Sequence, residues 1–344
     1  MPQANAALPA GSLILVTGAN GFIASHIVDQ FLQRGYRVRG TVRSRKPWLD
    51  DYFTTRHGAG QFESALLPDL RNVDVLDRLL DGVAGVVHVA SDVSMSPDPE
   101  IITKSVASTL SVLEVAERHD SVTQVVLTSS AFAASFLQPG QPGVNIDSST
   151  WNDGAVKSAR DPSVPEAQKP ILVYAASKTE SEREAWKWVK QNNPGFDFNT
   201  VLPAMVFGKI LHPEIGGSTM ALVRNLLAGN RAGIDGVPPQ WFVDVEDTAR
   251  LHVAALLDGR VKSERLFAFA TPYTWTDIVD ILRKAFPLNS SIPQAPENEG
   301  RDFIQVGPSV RAESLIKEFW GRDGWTSLRE SILGGTGDLE GFKG

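Results

Sequence analysis

The chain has 344 residues, of which 42% are hydrophobic and 21% charged, enough for one large domain or for one domain with a smaller lobe. Its formal net charge of −7 excludes the global positive field of a nucleic-acid-binding protein. The absence of cysteine excludes a disulfide framework, a thiolate nucleophile and a cysteine-ligated zinc site.

Apolar runs of strand length alternate with amphipathic stretches through the first half of the chain. The helical period is clearest in residues 22–33, 73–80 and 101–118. Strands separated by helices predict an α/β fold with a doubly wound parallel sheet of the Rossmann type. The predicted strands are residues 12–16, 36–42, 63–67, 85–90 and 124–128.

A long connection, residues 137–170, breaks this alternation because it is rich in Pro, Gly, Ser and Asp. Connections of that length in compact domains are often functional. A helix is predicted to resume at residue 174 and to run to about residue 191. A sixth strand, 198–202, follows it, and a late strand, 266–270, is expected to return to the main sheet.

A glycine-containing turn joins the first predicted strand to the first predicted helix. Residues 17–24 read Thr-Gly-Ala-Asn-Gly-Phe-Ile-Ala. Gly18 permits a tight turn, Gly21 lets the backbone approach a pyrophosphate, and Ala24 lets the helix pack closely on the strand. The helix start adds free N–H groups and the positive end of its dipole, so this turn predicts a dinucleotide site.

The end of the second predicted strand indicates which dinucleotide binds. An NAD site usually carries an acidic residue there, and residues 39–46 contain none. Arg43 can clamp the 2′-phosphate of NADP and stack on the adenine, and Lys46 or Arg45 can add positive charge. We therefore predict NADPH/NADP+ as the cofactor.

A tyrosine and a lysine lie four residues apart in the helix after the long connection. Tyr174 and Lys178 therefore share one helical face. A free phenol ionises too weakly for proton transfer at neutral pH, and a nearby ammonium group favours the phenolate. We expect Lys178 to hold the pKa of Tyr174 well below its ordinary value.

Two serines, Ser129 and Ser130, end the fifth predicted strand. Open α/β sheets bind their ligands at the carboxyl ends of the strands. A serine hydroxyl at this position can hydrogen-bond a carbonyl oxygen and share it with Tyr174.

These segments resemble the extended short-chain dehydrogenase/reductase superfamily over residues 11–333. Within it the chain is most similar to yeast and fungal aldehyde or carbonyl reductases, and more distantly to plant dihydroflavonol and cinnamoyl-CoA reductases. The likeness is carried by residues 15–23 (Leu-Val-Thr-Gly-Ala-Asn-Gly-Phe-Ile), 88–91 (His-Val-Ala-Ser), 126–130 (Val-Leu-Thr-Ser-Ser), 173–178 (Val-Tyr-Ala-Ala-Ser-Lys) and 241–245 (Trp-Phe-Val-Asp-Val).

The resemblance implies a Ser130–Tyr174–Lys178 triad, and its register favours Ser130 over Ser129. Tyr174 would donate a proton to the carbonyl oxygen as hydride arrives from NADPH, which reduces an aldehyde or ketone to an alcohol. The cofactor-binding residues implied, together with Arg43 and Lys46, are Gly18, Ala19, Asn20, Gly21, Phe22, Ile23, Asp69, Leu70, Ala90, Ser91, Tyr174, Lys178, Pro203, Val206 and Ser218.

The side chains expected to line the substrate pocket are mostly apolar, which suits a hydrophobic aldehyde or a β-keto ester. Gln240 is an isolated polar side chain among these residues, which include no cluster of arginines of the kind that would bind a sugar nucleotide. The predicted lining residues are Phe132, Ala133, Phe136, Met205, Val237, Gln240 and Trp241.

Three further side chains carry structural expectations. His88 lies within a strand of buried type, which favours a core histidine over a catalytic base. Trp186 and Trp188 are two apart on a helix, so at most one is expected to point to the core.

Two other functions share some of these features. A sugar-nucleotide epimerase has the same fold, glycines and Tyr-x-x-x-Lys pair, but usually retains NAD, which the basic end of the second strand disfavours. A non-catalytic NADP-binding redox sensor commonly lacks the Tyr or the Lys, and both Tyr174 and Lys178 are present.

The remaining expectations concern domains, location and partners. No apolar run approaches the roughly 20 residues of a membrane helix, and no signal peptide is recognised, so we expect a cytoplasmic protein. The expected partner is a small carbonyl substrate, with no metal, nucleic acid or membrane, and the chain is a monomer or a homodimer. Residues 11–203 are assigned to the NADP-binding domain, with 241–270 returning to it, and 204–240 and 271–344 to a smaller C-terminal substrate-binding lobe.

Overall fold

The computed structural model describes residues 6–136 and 140–339. The predicted connection 137–170 thus has its first three residues outside the described part, and the predicted lobe segment 271–344 its last five. The chain forms two compact units. The boundaries of the NADP-binding domain and the substrate-binding lobe, as assigned from the sequence, remain a prediction. The first unit is Met1–Phe136, Thr150–Leu202 and Ala249–Leu266, and the second is Leu137–Ser149, Pro203–Thr248 and Phe267–Gly344.

Strands and helices alternate along the part of the chain that builds the main sheet. The strands are β1 (Leu13–Val16), β2 (Arg37–Val42), β3 (Phe62–Leu66), β4 (Val83–His88), β5 (Gln124–Thr128), β7 (Asp197–Pro203) and β10 (Arg265–Ala268), while the two-residue strand β6 (Asn145–Ile146) lies elsewhere. The helices are α1 (Phe22–Gln33), α2 (Pro47–His57), α3 (Val73–Leu79), α4 (Glu100–Ala116), α5 (Asp153–Ser158), α6 (Lys169–Asn192) and α9 (Val245–Leu257).

Within the described residues, seven strands form one sheet in the order β10-β7-β5-β4-β1-β2-β3. Neighbouring strands from β3 across to β7 run parallel. This is the predicted α/β, Rossmann-type sheet, and β10 confirms that the late strand returns to it. The winding direction reverses between β1 and β4, where sheets of this kind bind ligands beyond the carboxyl ends of the strands.

The centre of the sheet is apolar because helices cover both of its faces. Every residue of β1 and of β5 is buried. Trp186 packs edge-on against Phe198, with ring centroids 4.7 Å apart, and Trp188 stacks on Phe196 at 6.3 Å. The prediction that at most one of the two tryptophans points to the core is therefore wrong: β7 and the residue before it offer each ring a partner of its own.

The predicted start of α6 is five residues too late. The helix begins at Lys169, and Pro170 occupies its first turn, where a missing N–H costs no hydrogen bond. The preceding connection also contains α5, whose N-terminus is capped by the Asn152 side chain. Tyr174 therefore lies in the second turn of α6, on a helix already established, rather than at its start.

The second unit has small sheets and short helices. Strand β9 (Gln240–Asp244) pairs in parallel with β8 (Met205–Phe207) and antiparallel with β11 (Thr271–Tyr273), while β12 (Gln305–Val306) pairs with β6. Its helices are α7 (Thr219–Leu226), α8 (Ala232–Gly236), α10 (Trp275–Ala285), α11 (Ser309–Trp320) and α12 (Leu328–Thr336).

Strand β9 ends in a buried carboxylate, Asp244. It accepts hydrogen bonds of 2.7 Å from the Ser331 hydroxyl of α12 and from the backbone N–H of Glu246. Burial nevertheless raises the pKa of Asp244 to about 6, against an ordinary value of 3.8. The folded state thus holds a proton that the unfolded state releases, so the free energy of unfolding falls as the pH rises from about 4 to about 6.

The substitution Asp244→Asn should remove this pH dependence. At pH 7.5 we expect it to raise the free energy of unfolding by about 2 to 3 kcal/mol, because an amide in the same place carries no charge to bury. At pH 4 the two proteins should unfold alike. Urea unfolding at both pH values measures the difference, and an equal loss of stability between pH 4 and pH 7.5 in the two proteins contradicts the assignment.

Candidate active site

The turn after β1 has the shape that a glycine-rich phosphate site requires. Gly18 has φ +70°, and a Cβ there would lie 3.2 Å from the Cβ of Ala90. Its backbone N–H donates to Thr41 Oγ1 at 3.1 Å, and the N–H of Ala19 donates to the Thr41 carbonyl at 2.9 Å. Only glycine fits this strained and close approach, and β2 fixes the turn from one side.

The start of α1 lacks a side-chain cap. Its N-cap residue is Gly21, no side chain caps the helix, and its first turn contains no acidic residue. The N-cap residue therefore offers no side-chain acceptor to the first N–H groups of α1. Residues Gly18 to Ile23 thus fit a pyrophosphate, which supplies both the missing hydrogen-bond acceptors and the negative charge favoured by the helix dipole.

Thr17 joins the carboxyl ends of β1 and β4, a role that the sequence analysis missed. Its buried hydroxyl accepts hydrogen bonds of 2.9 Å from the N–H groups of Val89 and Ala90, and lies 2.9 Å from His88 Nδ1. Burial lowers the pKa of His88 to about 3, so this histidine is neutral. His88 is therefore a buried core histidine hydrogen-bonded to Thr17, as expected. The role of Thr17 could have been recognised in the sequence from its position in the Thr-Gly pair at the end of a strand.

The predicted 2′-phosphate residues lie just after β2. Arg43 and Arg45 are exposed, and Lys46 is half-buried at the N-cap of α2. The pKa of Asp92 is lowered, first by a hydrogen bond from Ser94 and further by the charge of Arg43, which places Arg43 near the loop after β4. These three basic side chains thus follow β2, the strand that pairs with β1 beside the Gly18 turn.

The other predicted adenosine contacts lie after β3. Asp69 is exposed and forms an ion pair with Arg71, with 2.6 Å between Oδ2 and Nη2. The hydrogen bonds from Arg71 hold the pKa of Asp69 below its ordinary value. Leu70 is half-buried beside it. Their contact with adenine, like that of Ala90 and Ser91 with the cofactor, stays a prediction.

The three residues at the end of β5 have different partners. The Thr128 carbonyl accepts from Lys178 Nζ at 3.2 Å, and the Ser129 hydroxyl donates to Glu182 at 2.7 Å. Ser130 is extended, and its hydroxyl accepts from the N–H of Phe132 at 3.2 Å while also hydrogen-bonding Tyr174. Ser130, and not Ser129, therefore adjoins the tyrosine.

Helix α6 brings Tyr174 and Lys178 to this end of β5, as their spacing predicted. The effect on Tyr174 differs from the expectation: burial raises its pKa, and the opposing influence is the Ser130 hydrogen bond. Burial also lowers the pKa of Lys178 to about 8, although Glu182 acts to raise it. The predicted lowering of the Tyr174 pKa by Lys178 is wrong for this structure, where Lys178 Nζ donates to the Thr128 carbonyl.

An aromatic wall flanks Tyr174 in the first unit. Phe132 meets the Tyr174 ring edge-on, with centroids 5.9 Å apart, and Phe136 meets Phe132 at 6.1 Å. Both phenylalanines are half-buried against an apolar cluster from α4, α5 and α6, and Ala133 is fully buried. Two predicted pocket residues, Phe132 and Phe136, thus lie in a row of aromatic rings that begins at Tyr174, and Ala133 is buried next to Phe132 in the chain.

The remaining predicted site residues belong to the second unit. Trp241 Nε1 donates to the Ile304 carbonyl at 3.1 Å, and Gln240 is buried with its amide 3.3 Å from the Pro238 carbonyl. Ser218 has φ +45°, uncommon for a residue with a side chain. Pro203 and Val206 are buried, and Met205 and Val237 are half-buried. Their contacts with cofactor or substrate stay predictions.

The parallel sheet, the open glycine turn at its switch point and the Ser–Tyr–Lys constellation are features of the dinucleotide-dependent enzymes with a Rossmann-type fold. The family model described as the NAD dependent epimerase/dehydratase family matches residues 14–267. The chain belongs to this family, among the extended short-chain dehydrogenases/reductases.

Relatives with assigned activities align over nearly the whole chain. A ketoreductase of Aspergillus novofumigatus is 45% identical over 335 residues, covering 96% of this chain and 98% of its own. Aldehyde reductase 2 of Sporidiobolus salmonicolor is 37% identical over 338 residues, covering 95% and 96%. Yeast methylglyoxal/isovaleraldehyde reductase Gre2, solved with NADPH, has a TM-score of 0.77 and 25% identity, covering 96% of this chain and 99% of its own.

Proposed function

We propose that this protein is an NADPH-dependent carbonyl reductase that converts aldehydes or ketones to alcohols. The observation that carries the proposal is the meeting of Ser130, Tyr174 and Lys178 at the carboxyl end of β5. The ketoreductase and aldehyde reductase relatives support it, as does the fold shared with an NADPH-bound reductase. When bound, NADPH supplies the hydride for the carbonyl carbon.

The protein's own residues handle the carbonyl oxygen. Because burial raises the pKa of Tyr174, its phenol is neutral at physiological pH and able to donate a proton. The Ser130 hydroxyl adjoins the tyrosine, and with substrate bound it can donate its one proton to the substrate oxygen instead, which orients the carbonyl. The Lys178 ammonium, protonated below about pH 8, donates to the Thr128 carbonyl and supplies positive charge at the same end of β5.

The cofactor is held by the first unit through the Gly18–Ile23 turn, and Arg43 selects the 2′-phosphate. An Arg–phosphate contact is charge-assisted and planar, so an exposed arginine just after β2, in a stretch (residues 39–46) that contains no acidic residue, supports NADPH over NADH. Lys46 or Arg45 adds to the positive charge. Asp69, Leu70, Ala90 and Ser91 are the further proposed contacts.

The aromatic wall of Phe132 and Phe136 favours substrates with a hydrophobic group next to the carbonyl. Hydrophobic aldehydes and β-keto esters have this shape. From the sequence we further propose a cytosolic location and a monomeric or homodimeric state. No helix among residues 6–136 and 140–339 is both long and apolar enough to span a membrane.

A carbonyl panel tests the proposal directly. The purified protein is mixed with NADPH or NADH and with aldehydes and β-keto esters of increasing apolar size, and absorbance at 340 nm is followed. We expect NADPH oxidation, with kcat/KM rising about tenfold from a two-carbon to an aromatic aldehyde as apolar area is buried. Tight NADPH binding without turnover on any carbonyl would overturn the reductase assignment in favour of an epimerase or a redox sensor.

A further inference from the structure

A buried carboxylate lies behind the candidate triad. Glu182 is 0% exposed and stands one helical turn from Lys178 and two turns from Tyr174 on the same face of α6. It accepts hydrogen bonds from the hydroxyls of Ser129 on β5, at 2.7 Å, and Thr200 on β7, at 2.8 Å. The carboxylate thereby links α6 to two neighbouring strands of the main sheet.

Arg265 at the start of β10 pairs with this carboxylate. Its Nε lies 2.8 Å from Oε1 of Glu182, and its Nη2 lies 3.2 Å from Oε2. The guanidinium also donates to the Thr150 carbonyl at 2.9 Å and stacks 3.8 Å from the ring centroid of Trp151. With side chains 7% and 0% exposed, the pair is shielded from water and its charges act strongly on their neighbours.

We propose that Glu182 and Arg265 are positioning residues of the triad, which place Ser130 through Ser129 and fix the charge balance around the Lys178 ammonium. The proposal rests on the proposed function in that the triad is its target. Because the charges of Glu182 and Arg265 oppose each other, the pair shifts the pKa of Lys178 less than either charge alone would. Neither residue touches substrate or cofactor in this assignment, since both act through β5 and through Lys178.

The groups that interact electrostatically with Lys178 come from two elements. Glu182, on α6, acts to raise the Lys178 pKa, and His88, on β4, is neutral because burial lowers its pKa to about 3, a change that the charge of Lys178 reinforces. Burial lowers the pKa of Lys178 to about 8, and Glu182 opposes that change. Removing the Glu182 charge leaves the Arg265 cation to repel Lys178, whereas removing the Arg265 charge leaves the Glu182 anion to attract it.

Opposite charge changes should therefore have opposite effects. We expect Glu182→Gln to lower the midpoint of the Lys178 titration by about one pH unit and Arg265→Gln to raise it by about the same. The double variant, which removes both charges, should titrate near the wild type. The isosteric variant Thr200→Val removes one hydrogen bond to Glu182 and keeps its charge, so it is the matched control and should not shift the midpoint.

The readout is the 13Cε chemical shift of Lys178 in full-length protein grown on 13C-labelled lysine, assigned by its absence in Lys178→Met. The pH profile of kcat provides a second readout, with its alkaline limb moving in the same directions. Thermal unfolding checks that each variant is folded. Where Glu182→Gln alone does not fold, because Arg265 is left buried without its partner, Arg265→Gln and the double variant decide the question.

The charge-balance role would be overturned if the Lys178 titration had the same midpoint in all folded variants, or if both single variants shifted it in the same direction. Glu182 and Arg265 would then serve only in packing. The lysine titration does not depend on turnover. A wild-type protein that reduces no carbonyl but shows the opposed shifts would therefore contradict the proposed function and still support the pairing.

Discussion

Replacing Tyr174 with phenylalanine is expected to lower kcat for carbonyl reduction by roughly 10³-fold, because general acid catalysis by a positioned side chain contributes about 10²- to 10⁴-fold. Only the hydroxyl is lost, so the ring contact with Phe132 and the packing of α6 should persist. The affinity for NADPH, measured by quenching of protein fluorescence, should stay within about threefold of wild type. Single-turnover absorbance at 340 nm would locate the loss in the chemical step.

The matched control for this experiment is Tyr36→Phe. The Tyr36 hydroxyl donates to the Leu8 carbonyl at 3.0 Å before β2, far along the chain from the candidate triad. Removing it costs one buried hydrogen bond, about 1 kcal/mol of stability, and should leave turnover near the wild-type value. If Tyr174→Phe retained more than about a tenth of wild-type kcat, another group would have to supply the proton, and the triad assignment would fall.

Much of the fold was predictable because the sheet is buried on both faces. A parallel strand covered by helices reads as a short apolar run, and β5 and α1 have the predicted bounds, 124–128 and 22–33. The connection after Phe136 was less predictable. Its Pro- and Ser-rich composition hides α5, which depends on the Asn152 cap, and the first turn of α6, where Pro170 is tolerated.

The candidate site shows the same division between local and tertiary information. The Gly18 turn and the Tyr174–Lys178 spacing are local patterns, and the structure brings the latter to Ser130 as the family register implied. The direction in which the Tyr174 pKa shifts depends on how deeply the phenol is buried, and the sequence spacing of Tyr174 and Lys178 does not reveal that burial. Glu182 had a local signal, four residues beyond Lys178, but its partner Arg265 is 83 residues away and only the sheet order brings them together.

The largest effect on cofactor choice is expected from Arg43→Ala. A charge-assisted hydrogen bond contributes about 1.5 to 3 kcal/mol, so kcat/KM with NADPH should fall by about 10- to 150-fold. NADH has no 2′-phosphate, and its kcat/KM should change by less than about threefold. The ratio of the two specificity constants, from initial rates with one good aldehyde, measures the contribution of Arg43 without knowledge of the natural substrate.

Arg45→Ala and Lys46→Ala complete the comparison and separate a directed contact from general positive charge. Arg45 is exposed, whereas Lys46 is half-buried at the N-cap of α2. A residue that only contributes to the field should lower NADPH affinity modestly and lose its effect at high salt, since exposed charges more than about 8 Å apart are screened at physiological ionic strength. A planar Arg–phosphate pair should keep most of its effect there. One outcome would contradict the assignment of Arg43: Arg43→Ala and Arg45→Ala reduce the preference for NADPH equally, and both reductions disappear at high salt. In that case the positive charges of residues 43–46 as a group, rather than a contact from Arg43, would select NADPH.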